Sequence, residues 1–113
     1  MKSDYFFDLR NTPYSPKREG VQVKLMKGKC CEMMFKKLEA GFTSDHSHPE
    51  EQMGYLFSGR IRLTIGDESK TCGPGESYYI PAGVRHVFEV SPNGEAEIVD
   101  VFSPPEDENV IDL

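Results

Sequence analysis

His46-Ser47-His48-Pro49-Glu50-Glu51-Gln52 is the stretch whose reading decides the fold. Side chains alternate along a β-strand, so His46 and His48, one residue apart, face the same way and aim two imidazoles at one point. Pro49 cannot donate to a strand ladder and opens a turn, after which Gln52 returns toward that point from a neighbouring strand. His86, the one other histidine of the sequence, offers a fourth donor. Neutral imidazole and amide suit a divalent first-row metal, so His46, His48, Gln52 and His86 form a candidate ligand set for Mn, Fe, Co, Ni or Zn. Glu51 competes with Gln52 as the fourth donor; the spacing and the return strand favour Gln52.

Outward from this stretch the chain reads as short strands and tight turns. Val21, Val23 and Leu25 alternate with Gln22 and Lys24 until Gly28. Cys30 to Leu38 follows, with Met33, Met34 and Phe35 at its centre and Met33 and Met34 read as core filler, although Lys36-Lys37-Leu38-Glu39-Ala40 alone would also suit a helical turn. Met53 to Phe57, Ile61 to Ile65, Ser69 to Cys72, Ser77 to Ile80, His86 to Val90 and Glu97 to Phe102 are further strands, separated by glycine- and proline-bearing turns. Tyr5 to Leu9 reads as an apolar opening strand and Asn11 to Pro16 as a loop. About nine strands with no persuasive helix predict an antiparallel sandwich or barrel. The 113 residues fit one domain, 1–113, with an N-terminal strand and loop over 1–20 and a tail over 104–113.

Composition narrows the function. Net charge is −6 with no dense basic patch, which argues against nucleic acid. No apolar run approaches the roughly 20 residues that cross a bilayer, and the N-terminus carries no secretory signal pattern, so a soluble cytoplasmic protein is expected. Cys30, Cys31 and Cys72 are odd in number and lack zinc or redox spacing; they read as reduced packing residues.

Two spacings then carry a resemblance. Gly41, His46, His48, Gln52 and Gly59 follow one another with three residues between His48 and Gln52 and six between Gln52 and Gly59. Gly75, five residues, Pro81-Ala82-Gly83, two residues and His86 form the second. Both resemble the two motifs of the cupin superfamily, over about residues 30 to 102. The resemblance implies an all-β, conical double-stranded β-helix (a jelly-roll barrel) with one metal in its mouth, and in many relatives a homodimer. Three departures stand out. Four residues rather than five separate Gly41 from His46, Gln52 replaces the common Glu, and Val90 stands where an Asn is frequent. With a neutral amide as donor the metal keeps its full charge, which favours Lewis-acid work on an oxygen-rich or anionic small molecule over oxygen activation.

His46-Ser47-His48-Pro49, Gly66-Asp67-Glu68 and Asp100-Val101-Phe102-Ser103-Pro104-Pro105 look like the small cupins that linearise 4,5-unsaturated uronates. That likeness implies Asp100 as the proton-handling residue and Phe102 as an aromatic wall. Phe88, which shares strand parity with His86, and Tyr78 are further candidate contacts. The group carries an Arg after the Pro-Pro pair; here Glu106 stands there, which removes a carboxylate-binding fork. Arg60 is the substitute in view, since Arg62 and Arg85 alternate outward. The tail Glu106 to Glu108 reads as solvated charge. Two other readings stay open: a cupin dioxygenase acting on a phenol or diketone, and a non-catalytic ligand-binding or sensor module.

Overall fold

The computed structural model describes residues 3–106 and, by backbone alone, 111 and 112. Its strands are β1 (Ser15–Arg18), β2 (Val21–Lys27), β3 (Glu32–Leu38), β4 (Thr43–Ser47), β5 (Glu51–Ser58), β6 (Ile61–Ile65), β7 (Glu68–Cys72), β8 (Ser77–Ile80), β9 (His86–Val90), β10 (Ala96–Ser103) and β11 (Ile111–Asp112). No helix occurs among the described residues, so none is long and apolar enough to cross a membrane. Two antiparallel sheets, ordered β1-β2-β3-β10-β5-β8 and β11-β4-β9-β6-β7, face each other as the expected jelly roll.

Strands β2, β3, β5, β6, β8, β9 and β10 fall where their apolar residues put them, and β4 and β7, polar in sequence, lie between turns. The inward set Val21, Leu38, Leu56, Ile61, Leu63, Ile80, Phe88, Val90 and Ile98 is buried and forms one core. Each such side chain contributes about 1.5–3 kcal/mol on leaving water. This core runs up to the histidines: Phe88 lies 6.1 Å from the His86 ring, centroid to centroid. Gly59 makes the turn after β5: its φ is +90°, and a Cβ there would lie 2.6 Å from the Glu95 carbonyl oxygen and 2.7 Å from the Ala96 Cα. Only glycine fits both demands.

Several expectations are corrected. Tyr5 to Leu9 forms no strand; Tyr5 and Phe6 are more than four-fifths exposed and pack on nothing described. The first strand is instead Ser15–Arg18, reaching into what reads as loop, and Pro16 is tolerated because β1 is an edge strand. Cys30 and Cys31 are exposed at a turn rather than packed, while Cys72 is buried. Met34 is core, but Met33, one residue off in parity, faces outward at 39% exposure. Glu106 is 8% exposed, not solvated; Asp107 and Glu108 lie outside the described residues.

Candidate metal centre and ligand cavity

Register sets the geometry. His46 on β4 stands directly opposite His86 on β9, and Gln52 on β5 opposite Phe102 on β10. His48 lies just beyond the end of β4, where Pro49 turns the chain. The His48 and His86 rings are 4.8 Å apart and those of His46 and His86 6.3 Å, so the fold brings the three histidines together.

Two of these imidazoles are fixed in one tautomer by backbone carbonyls, which only accept. His48 Nδ1 donates to Glu50 O at 2.9 Å, and His86 Nδ1 to Val84 O at 3.0 Å, leaving both Nε2 lone pairs bare. Burial holds the His86 imidazole below its usual 6.5, so the neutral, ligating form is favoured. His48 Nε2 then meets Gln52 Oε1 at 3.1 Å, both residues almost wholly buried. Two lone pairs facing each other in a dry place are an arrangement that a bound cation satisfies. His46 Nε2 instead accepts from Arg18 Nη1 at 2.9 Å, so Arg18 and an ion compete for one lone pair. As placed, the described residues hold no group of three His, Cys, Asp or Glu set to bind an ion; the Gln52 amide completes a trio with His48 and His86. The donor chemistry fits a transition metal.

The cluster opens onto a small, solvent-open cavity of about 40 Å³. Phe42, Phe88, Phe102 and Ile98 make apolar walls, and Lys17, Arg18 and Lys36 line it with positive charge. Lys17 Nζ pairs with Glu106 Oε1 at 2.7 Å. Burial raises the Glu106 carboxyl, but Lys36 and Lys17 more than offset this and hold it below the usual glutamate range, so it is a charged group.

Of the expected contacts, Phe88 and Phe102 line the cavity. Asp100 does not; it is fully buried beneath it, Oδ1 accepting from Tyr78 OH at 2.7 Å and Oδ2 3.0 Å from Lys36 Nζ. Tyr78 likewise lies behind, its ring crossing Gly54 to reach Asp100. Arg60 is not brought to the site. It is exposed beside Gly73, after the turn that ends β5, and does not line the cavity. Arg62 and Arg85 face outward as expected, to Glu89 and Asp45.

Sequence reasoning missed the cations. Lys36 shares parity with Met34 and Leu38, which identifies an inward side chain, but the competing helical reading of 36–40 obscures it. Lys17 and Arg18 sit on a strand without apolar alternation, and no pattern signals them.

Residues 34–102 match the family described as Cupin domain. The chain belongs to the cupin family. Among curated proteins this cupin is 37% identical over 70 residues to an uncharacterised protein of Streptomyces coelicolor, covering 61% of this chain and 66% of that one. It is 28% identical over 92 residues to the HTH-type transcriptional regulator PuuR of Escherichia coli, covering 76% of this chain and 50% of that one. The matches thus span about half to two thirds of those relatives. Among solved structures, KdgF from Halomonas superposes with TM-score 0.82 at 20% identity, covering 95% of this chain and 98% of that one. That likeness is one of fold.

Proposed function

We propose that this cupin holds one divalent transition metal on His46, His48, Gln52 and His86 and acts on a small sugar acid, a 4,5-unsaturated uronate being the best specific substrate, which it opens and isomerises. The observation that carries the reading is the cavity itself: neutral metal donors at one side, Lys17, Arg18 and Lys36 around it, and phenylalanine walls between. Such a lining suits a compact molecule with a carboxylate, several oxygens and an apolar ring face. A bound metal would supply Lewis-acid polarisation of a ligand oxygen. Phe88 and Phe102 would hold the ring. Asp100, buried beneath the cavity, would act on the ligand only through Lys36, with which it pairs at 3.0 Å, its own carboxylate kept in place by Tyr78. The exposed thiols Cys30 and Cys31 suit a reducing, cytoplasmic setting. A homodimer is part of the proposal, its contact the outer face of the larger sheet, where Met33, Met53, Tyr55, Phe57 and Tyr79 are exposed.

The test is incubation of metal-loaded protein with a 4,5-unsaturated monouronate, following ring opening by proton NMR. No acceleration over buffer sinks that substrate. The 92-residue match to a transcriptional regulator favours a second reading, a ligand-binding module; a sugar acid that binds and is recovered unchanged would support it.

A further inference from the structure

We propose that Lys36 is the residue of this cupin that takes the ligand's carboxylate, doing from β3 what an arginine at position 106 would otherwise do; this rests on reading the cavity as the ligand site. Strand parity sends Lys36 inward between Met34 and Leu38, which are 2% and 3% exposed. Its side chain, 15% exposed, lines the cavity. An ammonium so far out of water needs compensation. Part of it comes from the Phe102 ring, whose centroid is 5.1 Å from Nζ. The rest comes from Asp100, yet Oδ2, 3.0 Å away, is buried with no hydrogen-bond partner. The two groups are near enough to share charge but are poorly aligned. An ammonium carries three hydrogens, so pairing with Asp100 leaves up to two of them for a ligand.

The neighbouring cations are paired with groups that themselves line the cavity, whereas the partner of Lys36 lies beneath it. Lys17 is engaged by Glu106 at 2.7 Å and Arg18 by His46 at 2.9 Å. Lys36 lines the same cavity, close enough to Glu106 and His86 for its charge to be felt at both. The ligand class that follows is a small monocarboxylate whose body lies against Phe88 and Phe102. Asp100 then acts as a positioning residue: it keeps the ammonium charged and pointed into the cavity without touching the ligand.

The experiment is calorimetric titration of galacturonate and benzoate, each beside its neutral counterpart (galactose, benzyl alcohol), into metal-loaded and metal-stripped protein. The expected result is a carboxylate preference that persists without metal and weakens roughly 10- to 100-fold in Lys36→Gln, with the neutral probes unmoved. Lys36→Arg keeps the preference to within several-fold. Because Lys36→Gln strands a buried carboxylate, Lys36→Gln/Asp100→Asn, which removes both charges, is measured beside it and must show the same loss, with metal content unchanged. Equal binding of carboxylate and neutral probes by wild type, including no measurable binding of either, overturns the proposal, as does a Lys36→Gln or double variant that binds carboxylates within twofold of wild type. If carboxylates bind through Lys36 while the unsaturated uronate is not turned over, the uronate reading fails and this one stands.

Discussion

Gly54 offers the sharpest test of how the floor of the site is built. Along one row of the larger sheet Met34, Asp100, Gly54 and Tyr78 stand side by side on β3, β10, β5 and β8. The missing side chain lets the Tyr78 ring pass over β5 and donate to Asp100 Oδ1 at 2.7 Å. A Cβ on Gly54 would lie under 3.0 Å from three atoms of that ring. In Gly54→Ala the ring must therefore leave. Overpacking costs about 1–3 kcal/mol, and losing a hydrogen bond to a buried carboxylate about 1.5–3 kcal/mol. Alanine's advantage over glycine within a strand returns about 0.5–1 kcal/mol. The net destabilisation is roughly 2–5 kcal/mol, a large part of the ~5–15 kcal/mol that holds a domain together. Urea unfolding reads it as a midpoint lowered by about 1–2.5 M for a slope near 2 kcal/mol/M. In a Tyr78→Ala background the obstacle is gone, and Gly54→Ala should then be neutral or slightly stabilising. A cost below about 1 kcal/mol in wild type, or the same cost in both backgrounds, would refute the idea that Gly54 exists to let Tyr78 through.

Elemental analysis after metal loading should give one equivalent in wild type and a loss of most of it in His48→Ala and His86→Ala; unchanged content in either means the centre is misassigned. In the metal-free protein, burial lowers the His86 pKa from 6.5, so below about pH 6.5 the unfolded chain binds the proton more readily and stability falls with pH. Urea titrations between about pH 7.5 and 5.5 should show this fall, and His86→Gln should flatten it; an unchanged slope would count against a neutral, buried His86. Sedimentation should find a dimer that Met53→Asp and Tyr79→Asp convert to monomers, since both side chains are about half exposed on the proposed contact face; a monomeric wild type would rule the contact out.

Most strands from β2 to β10 were legible from alternating apolar residues and from turns that carry glycine or proline, while β4 was marked by its His-x-His pair and β7 by the turns on either side of it. The misleading segment was Tyr5 to Leu9. Its hydrophobicity suggests burial, but hydrophobic residues need a surface to pack on, and Tyr5 and Phe6 stay more than four-fifths exposed. The proximity of the candidate metal donors was legible for a related reason. Spacing fixes parity, and parity decides which side chains meet across β4, β5 and β9. What spacing does not encode is how each ring is oriented. The carbonyls of Glu50 and Val84 fix the tautomers of His48 and His86, and backbone groups leave no mark in a sequence. Glu106 was misread because an acidic tail is usually solvated. Here the backbone N–H of Glu106 donates to Glu32 Oε1 at 3.0 Å, and Lys17 meets its carboxylate, so the chain is tied down before the tail begins.

The charges around the cavity give the ligand reading its physical logic. All four proposed metal donors are neutral, so a divalent ion would keep its full charge. Three cations line the space, against the Glu106 carboxylate at its edge and the Asp100 carboxylate beneath. With the ion in place the site would hold a marked positive excess in a setting where solvation is poor, which is costly unless an anion enters. A carboxylate ligand offsets that excess in a way a neutral sugar does not. The exchange of Arg for Glu at position 106 therefore does not make the site repel acids. Glu106 is neutralised by Lys17, and Lys36 on β3 keeps the cavity positive.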